Sequence, residues 1–502
     1  MGVVCRGEAL IHRASAGQPV RAVWDIGPGD EWPAHLATLA VHAEAHGNGM
    51  LVVLPDARDV ARVQEAFTTA LGRDTFEVLT ADAGPQRRYA AFLRLVTGRT
   101  RIAIGTRGAC FAPVPEHSVL CIIDDGEDTF AEPHAPGWHA REVLALRSHL
   151  FGAPLIAGGY TRSIADQSWV ESGWAAPVAM PREVVRKRAP RVQPVGDDPA
   201  RVPSQAWSVL RAGLHEGPVL VQVARRGYVP GTACQRCRTL ARCTACGGPI
   251  VLSGAGATPA CGWCATPVSD WRCPQCAGAT LRAIARGSTR TAEELGRAFP
   301  DIPVIASGGD RIIDRVEEHP TLVVATPGAE PIAAGGYAAV ALLDAQAMLS
   351  RASLAAGEET VRRWFAAAAL ARPGAPLVIT ADAHVPAVAA LVRWDPGWFA
   401  ARDLAERREL GLPPIRRSAT VTGDYAALDD VRNVLPPAVI VHGPMPAGEE
   451  RGRLLLLADR ESVTSMTQAL REAMAGRAAR REASGLEVRV DPVDWGGHAA
   501  HA

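Results

Sequence analysis

The sequence predicts an α/β fold whose parallel sheets are covered by helices on both faces. Two observations support this: the short strands are apolar along their whole length, and amphipathic helical stretches separate them. The predicted strands are Met50–Leu54, Arg101–Gly105, Val119–Asp124, Pro154–Ala157, Pro218–Val223, Thr321–Ala325, Ala338–Leu343 and Pro376–Ile379. The helical stretches between them include Ala57–Ala70, Gln86–Val96, His139–Leu150 and Glu358–Ala371.

The pattern changes twice along the chain. After about Trp394 a small α+β unit is predicted, with strands near 417–422, 437–442, 453–458 and 486–491 and helices near 424–434 and 460–480. Earlier, the basic, proline-rich segment Pro181–Asp197 interrupts the α/β pattern. We expect that segment to be a linker between two lobes.

The bulk composition is that of an ordinary globular protein. Its 502 residues include 53 basic and 53 acidic side chains, so the net charge indicates no class of partner. The sequence has no run of 18 or more apolar residues that would span a membrane, and its charged start is not a secretory signal. We therefore expect a cytoplasmic protein, in which clustered cysteines more often bind metal than form disulfides.

Eight cysteines form four C-x-x-C knuckles between Cys234 and Cys276. Each knuckle presents two thiolates from one turn, and two knuckles complete a tetrahedral zinc site. The 14 residues between the two inner knuckles come close to the spacing of a zinc ribbon. We therefore predict two interleaved zinc sites. One is formed by Cys234, Cys237, Cys273 and Cys276, and the other by Cys243, Cys246, Cys261 and Cys264.

Other uses of these cysteines stay open. The knuckles could pair consecutively, although five residues between the first two leave little chain for a closed ribbon. A redox switch, buried free thiols or disulfides are further alternatives. Eight of the 11 cysteines lie in this one block, which favours metal. An all-thiolate site leaves no ligand position open for water, so the predicted zinc is structural.

The segment around the knuckles is strongly basic. From Arg225 to Arg290 there are nine arginines and a single acid, Asp270. Trp263 and Trp271 add aromatic surfaces on which bases can stack. Nucleic acid is therefore the favoured ligand of this segment, and a protein-contact face is the alternative.

Several motifs, taken in order, resemble the PriA family, also called primosomal protein N′. They are Gly105–Pro113, Ile123–Glu127, Trp138–Arg141, Arg225–Tyr228 ahead of the knuckles, Gly287–Arg290, Glu293–Leu295, Asp403–Pro414, Gly443–Pro444 and Asp491–Asp494. Together they span roughly residues 20 to 495. The resemblance implies two RecA-like parallel-sheet lobes of superfamily-2 helicase type. It also implies two-zinc knuckles inserted in the second lobe and a small α+β C-terminal domain.

The resemblance also implies a division into domains. The expected parts are an N-terminal remnant (1–20), lobe 1 (21–180), a linker (181–200), lobe 2 (201–232 and 281–390), the zinc module (233–280) and the C-terminal domain (391–502). Most family members have further N-terminal DNA-binding domains. Only about 20 residues precede the first lobe, so those domains are missing from this sequence. Either this member of the family is short or its start codon is misplaced, and both explanations stay open.

Two motifs of the family's ATP site are altered in the first lobe. Asp25–Trp32 stands where the family has the P-loop G-x-x-x-x-G-K-S/T, and it contains no lysine; Lys187 is the sole lysine of the chain. The lysine of that loop contacts the nucleotide phosphates, and its hydroxyl residue holds Mg²⁺. Downstream, Asp125 and Glu127 replace the Glu and His of the D-E-x-H box.

Two further motifs are altered in the second lobe. Ala325–Glu330 stands in place of G-T-Q-M-x-x-K-G, and Ala367–Gly374 retains one arginine, Arg372, where the family has Q-x-x-G-R-x-G-R. Phosphoryl transfer depends almost wholly on positioning and charge. We therefore predict no catalytic residues, no helicase activity, and neither ATP nor Mg²⁺ as a cofactor.

The resemblance leads to a functional prediction: a replication restart protein that binds forked or single-stranded DNA and helps to reload the replication machinery. Arg225, Arg226 and Tyr228 are the candidate DNA contacts, with a solvated strand end as the alternative for the two arginines. Primosome proteins and single-strand-binding proteins are the implied partners, and no membrane is involved. The alternatives are an ATP-dependent 3′-5′ DNA helicase with an atypical nucleotide site and a zinc-ribbon adaptor between proteins.

Overall fold

The structure is a computed structural model. It describes residues 4–134, 137–196, 202–225, 232–237, 239–252, 258–262, 266–283, 288–351, 353–447, 450–480, 482, 485–493 and 495. The chain divides into two compact units. The first comprises residues 1–26, 31–179 and 400–498, and the second comprises residues 27–30 and 180–399.

A seven-stranded sheet dominates the first unit. In chain order its elements are α1 (Val4–Ser15), β1 (Arg21–Asp25), α2 (Trp32–Ala45), β2 (Met50–Val53), α3 (Ala57–Leu71), β3 (Phe76–Leu79), α4 (Pro85–Val96), β4 (Ile102–Gly105), β5 (Val119–Ile123), α5 (Ala140–Phe151), β6 (Leu155–Gly159), α6 (Ile164–Glu171) and β7 (Ala176–Ala179). The strand order is β3-β4-β2-β5-β6-β1-β7, and all neighbours are parallel. β2, β4 and β5 are buried along their whole length, as expected for strands covered on both faces.

The N-terminal segment 1–20, predicted to be a remnant, packs on this lobe through its described residues. Ala14 of α1 is fully buried, and Leu10 and Ile11 pack against the same hydrophobic cluster. These three residues share one helix face, because side chains three and four positions apart lie on the same side of a helix.

A six-stranded parallel sheet forms the centre of the second unit. Its elements are α7 (Arg182–Arg188), β8 (Arg191–Pro194), α8 (Ser204–Leu214), β9 (Val219–Gln222), β10 (Thr232–Cys234), β11 (Ile250–Val251), β12 (Ala260–Cys261), β13 (Leu281–Ala283), α9 (Ser288–Ala298), β14 (Val304–Ser307), β15 (Arg315–Val316), β16 (Leu322–Ala325), β17 (Ile332–Ala333), β18 (Ala339–Leu342), α10 (Ala345–Leu349), α11 (Ala356–Ala369), β19 (Pro376–Ile379) and α12 (Pro386–Arg393). The strand order is β14-β16-β9-β18-β19-β8. The cysteine-rich segment lies between β9 and β14, and its described residues form the short antiparallel pairs β10–β13 and β11–β12.

The segment expected to be a linker instead contains α7 and β8. β8 pairs in parallel with β19 at the edge of the second sheet. An edge strand tolerates a proline such as Pro194, because one side of its backbone needs no partner. The prolines and charges that suggested a linker are therefore compatible with an edge strand.

A four-stranded antiparallel sheet forms the C-terminal part of the first unit. Its elements are α13 (Pro396–Leu410), β20 (Arg417–Asp424), α14 (Tyr425–Val434), β21 (Ile440–Pro446), β22 (Arg451–Ala458), α15 (Val463–Ala479) and β23 (Glu487–Val490), with strand order β21-β22-β20-β23. The four strands and two helices predicted here are confirmed, with bounds that shift by a few residues. The predicted fold class is confirmed as well: two parallel-sheet lobes, a cysteine-rich insertion in the second and a small α+β domain. None of the described helices is both long and apolar enough to cross a bilayer.

Candidate metal clusters and an altered nucleotide site

The four outer cysteines come together where β10 and β13 pair. The Sγ atoms of Cys234 and Cys276 are 3.5 Å apart, and those of Cys237 and Cys273 are 3.4 Å apart. All four sulfurs lie within 4.8 Å of one another. A zinc–sulfur distance of about 2.3 Å places the thiolates of a tetrahedral site about 3.8 Å apart. The cluster therefore has the size and donor set of a Cys₄ metal site.

The inner cysteines form a second cluster. Cys243, Cys246 and Cys261 lie within 4.8 Å of one another, and the sulfurs of Cys246 and Cys261 are 3.4 Å apart. Cys264, the predicted fourth ligand, lies outside the described residues. Among the described cysteines, outer knuckles meet outer knuckles and inner knuckles meet inner ones.

All four knuckles close with the same backbone hydrogen bond. In each, the N–H of the first cysteine donates to the carbonyl oxygen five residues later, over 2.8–3.0 Å. The pairs are Cys234 to Thr239, Cys243 to Gly248, Cys261 to Thr266 and Cys273 to Gly278. In the three knuckles whose two cysteines are both described, the turn inside this bond brings both thiols into the same cluster. The sequence repeat therefore corresponds to a structural repeat.

The module has little else to stabilise it. Its apolar core consists of Ala241, Ile250 and Trp271 with two of the cysteines. So small a core does not offset the conformational entropy of the segment, and a bound metal would supply the missing folding free energy. A contact of 3.2 Å with the hydroxyl of Thr239 lowers the pKa of Cys237 to about 6, and the thiolate is the form that ligates metal.

The predicted nucleic-acid contacts have mixed outcomes. Arg225 is exposed, but its Nε and Nη2 atoms both donate to the carbonyl oxygen of Pro327, over 3.0 and 2.5 Å. Arg226, Tyr228 and Trp263 lie outside the described residues. Trp271 is buried in the core of the module, so the expectation that it offers a stacking surface is wrong. It is buried because the module has few other apolar side chains around which to close.

The P-loop position of the first lobe is occupied by side chains with other partners. Asp25, at the end of β1, forms a two-pronged ion pair with Arg162 over 2.7 and 2.6 Å. Trp32, at the position of the Mg²⁺-binding hydroxyl, lies in the hydrophobic core with the Arg62 guanidinium 4.8 Å from its ring. Pro33 follows and removes one N–H from the start of α2. This helix start lacks both the hydroxyl and an amide that a P-loop uses.

The loop between these residues binds its own carboxylate. The N–H of Gly27 donates to Oδ2 of Asp30 over 3.0 Å, and Arg188 donates to Oδ1 of the same side chain over 3.3 Å. In a P-loop such amides cradle phosphate. Here the Asp30 carboxylate accepts the hydrogen bond of the Gly27 amide in place of a phosphate.

The acid box of the first lobe is also engaged internally. Asp125 is buried and accepts from Arg141 Nη1 over 2.9 Å and from Ser163 Oγ over 2.8 Å. Burial by itself would lower the pKa of Arg141, but the neighbouring carboxylates of Asp125 and Glu142 hold that pKa above its usual value. The carboxylate at the family's glutamate position is therefore part of a fixed ion pair.

Arg372, the arginine retained in the altered fourth motif, makes its contacts within the second lobe. Its Nε and Nη1 atoms donate over 3.1 Å to the carbonyl oxygens of Gly336 and Glu216, and Glu318 lies 3.5 Å from Nη2. All these partners belong to the second lobe. The guanidinium therefore joins two of its loops.

Comparison with known proteins identifies the family. The family described as "Primosomal protein N C-terminal domain" matches residues 408–493. A probable replication restart protein PriA from Mycobacterium leprae is 41% identical over 522 residues, covering 98% of this chain and 80% of that protein. Its counterpart from Mycobacterium tuberculosis is 40% identical over 528 residues, covering 98% and 81%. The chain belongs to the PriA family.

A solved structure of Saccharomyces cerevisiae Dbp5 bound to RNA and ADP BeF3 is similar to this PriA-family chain. The alignment covers 80% of this chain and 93% of the Dbp5 chain. The TM-score is 0.46 and the identity 9%. At that distance the likeness carries no argument about activity.

Sequence reasoning missed the side chains that occupy the PriA-family nucleotide positions. Arg162 and Ser163 both follow β6, which lies between β5 and β1 in the sheet. The carboxyl ends of parallel strands meet at one edge, so residues that follow β6 approach those that follow its neighbours. Strand order was the missing information, because the spacing along the chain between Asp25 and Arg162 indicates no contact.

Asp59 provides a pH-dependent test of this edge of the lobe. Burial first, and then the charges of Asp56 and Asp124, raise the pKa of Asp59 to about 6, against the pull of Arg62. Since the pKa in an unfolded chain is near 4, the folded state binds more protons between about pH 4 and 6. The free energy of unfolding therefore falls as the pH rises through that window. We expect Asp59→Asn to raise this free energy by about 1–2 kcal/mol at pH 7.5 and to change it little at pH 4.

Urea unfolding of the full chain at several pH values measures this effect. Asp74→Asn, on the exposed loop before β3, is the matched control and is expected to leave the profile unchanged. Equal effects of Asp59→Asn at pH 4 and 7.5 would show that Asp59 carries no raised pKa.

Proposed function

We propose that this chain acts in replication restart as a DNA-binding scaffold that does not couple ATP hydrolysis to unwinding. The observation that carries the proposal is the occupation of the nucleotide positions by the protein itself. Trp32 lies in the core, Asp30 binds the Gly27 amide, and Asp125 pairs with Arg141. Each of these groups would have to leave its partner before a nucleotide or Mg²⁺ could take its place.

We further propose that each cysteine cluster binds one structural zinc ion, with outer knuckles sharing one ion and inner knuckles the other. The sulfur–sulfur distances of 3.4–3.5 Å and the all-thiolate donor sets support this. Cys264 would complete the inner site. Chelation is expected to unfold the module, because its apolar core is small.

Forked or single-stranded DNA is the proposed ligand, and the names of the relatives, replication restart proteins, support that class. The segment from Arg225 to Arg290 has nine arginines and one acid. Arg225 could contact a phosphate if it exchanges the Pro327 carbonyl for it, and Arg226 and Tyr228 remain candidates beside it. Primosome and single-strand-binding proteins are the proposed partners, in the cytoplasm.

ATP turnover with and without forked DNA tests the scaffold proposal. We expect no DNA-stimulated hydrolysis by the zinc-loaded chain, and none by its Glu31→Lys variant. One lysine does not restore the hydroxyl missing at Trp32, the amide missing at Pro33 or a carboxylate at Asp125 that is free of Arg141. Removing a single positioning charge from such a machine can cost about 10³–10⁵ in rate. Hydrolysis that rises with added fork would instead establish the helicase alternative.

A fork-binding assay over a salt series separates the scaffold from the adaptor. Phosphate contacts release counterions, so DNA affinity should fall at least about tenfold between 50 and 200 mM salt. If the chain does not bind forked DNA at 50 mM salt, the adaptor between proteins is the function that remains.

A further inference from the structure

Helix α4 exposes more apolar side chains than it buries. Tyr89, Phe92, Leu93 and Val96 are 64%, 46%, 41% and 55% exposed. They follow the spacing i, i+3, i+4, i+7, so they form one continuous stripe along the helix. In an ordinary surface helix this stripe faces the core, but in α4 it faces solvent.

The face of α4 that contacts the sheet is fixed without these residues. Ala91 and Leu95 are its buried residues. The Arg94 guanidinium forms two hydrogen bonds of 2.6 Å to the Glu77 carboxylate on the edge strand β3, and Thr100 donates to the same carboxylate. The helix is thus held in one orientation, and rotation cannot bury the stripe.

The charged side chains that α4 itself carries are all arginines, and the chain that flanks the helix is basic. Between Asp82 and Glu116 the sequence contains six arginines and no acid. Arg88 is exposed one turn before Phe92, and no carboxylate in the described part of the chain pairs with it. A partner surface that is apolar along its centre and acidic at its border complements this arrangement.

We propose that the α4 stripe, formed by Tyr89, Phe92, Leu93 and Val96, is a docking surface for an acidic amphipathic helix of a partner protein. The regular helical spacing of the stripe fits a second helix packed along it. Two copies of α4 would repel each other through their arginines. Bases could stack on Tyr89 and Phe92, but Leu93 and Val96 offer a base neither a ring to stack on nor a hydrogen-bond partner.

The test uses fluorescence anisotropy with the full zinc-loaded chain and a labelled 18-residue peptide of leucine, alanine and glutamate. Its leucines are placed at i, i+3, i+4 and i+7. A peptide of the same composition, with its leucines spread around the helix, is the control ligand. We expect the amphipathic peptide to bind and the scrambled one not to bind. Equal affinities would mean attraction by charge alone and would overturn the proposal, as would no binding of either peptide.

Variants locate the site. Phe92→Ser is expected to weaken peptide binding about 30-fold, as removal of a central anchor does. Leu93→Ser should weaken it as well, whereas Leu410→Ser, at a leucine that is 70% exposed on α13, should not. Arg88→Glu changes no apolar packing and is expected to weaken binding about tenfold. Unchanged affinity in Phe92→Ser and Arg88→Glu would place the peptide elsewhere.

Two other outcomes would also overturn the proposal. If Phe92→Ser abolishes a concentration-dependent dimer in sedimentation velocity, the stripe is an interface between copies of the chain. If the same variant loses single-stranded DNA binding while peptide binding stays constant, the stripe belongs to the DNA surface. Because all four side chains face solvent, the variants should unfold at the same temperature as the parent.

Discussion

Replacing Cys234 by serine is expected to release one of two zinc ions, replacing Cys243 is expected to release the other, and the double variant should hold none. The structure groups the described outer and inner cysteines into separate clusters, so each change removes a ligand from a different site. Losing a thiolate from an all-cysteine site costs a large part of a binding free energy of about 10–16 kcal/mol. The remaining site should stay occupied, because none of its ligands is altered.

Zinc content per chain, measured by atomic emission after gel filtration, checks this result. Cys110→Ala is the control, since Cys110 is a buried thiol outside both clusters and the variant should retain two ions. Consecutive pairing of the knuckles predicts a different count. There, Cys234→Ser and Cys243→Ser would remove the same ion, and the double variant would still hold one.

Replacing Arg141 by methionine is expected to lower the free energy of unfolding of the seven-stranded sheet by about 3–5 kcal/mol. The change leaves the Asp125 carboxylate buried, with the Ser163 hydroxyl as the remaining one of the two partners described above. A buried charge that loses its counter-ion costs far more than an exposed pair contributes. The double variant Asp125→Asn, Arg141→Met should recover part of the loss, because it also removes the charge.

Hydrogen exchange of the β5 and β2 amides measures the effect within the affected sheet. Arg402→Met is the control: Arg402 pairs with Glu406 at the surface, where both side chains are half exposed, and its loss should change the free energy by less than about 1 kcal/mol. Exchange in β5 that stays at the parent rate in Arg141→Met would show that the pair does not stabilise the sheet.

In the two parallel sheets, the strands that could be predicted from the sequence are interior strands. All eight predicted strands of the two parallel sheets are confirmed, and each has a neighbour on both sides. The predictions omitted β1 and the four edge strands, β3, β7, β8 and β14. An edge strand has one neighbour and more solvent contact, so its residues need not be apolar along their whole length. Glu77 in β3 and Pro194 in β8 show the difference.

The candidate sites divide in a similar way. Cysteine spacing along the chain was enough to predict the knuckles, because each turn is local. It favoured the interleaved grouping that the described cysteines show, but it left consecutive pairing open. The occupants of the nucleotide positions were not predictable, since Asp25 and Arg162 meet only through strand order. The burial of Trp271 was missed for a related reason: composition shows an aromatic side chain but not which few residues close a small core.

The pairing of β10 with β13 has a consequence for how the chain can change over generations. Thr232 and Ala283 are partners across this pair, and such partners lie about 5 Å apart. The 50 residues between them therefore begin and end at nearly the same point. A two-residue turn could connect the same two strand ends. Material inserted on such a base can be lengthened, trimmed or exchanged without shifting the register of the strands beside it. The metal module and the lobe that carries it can thus evolve at independent rates.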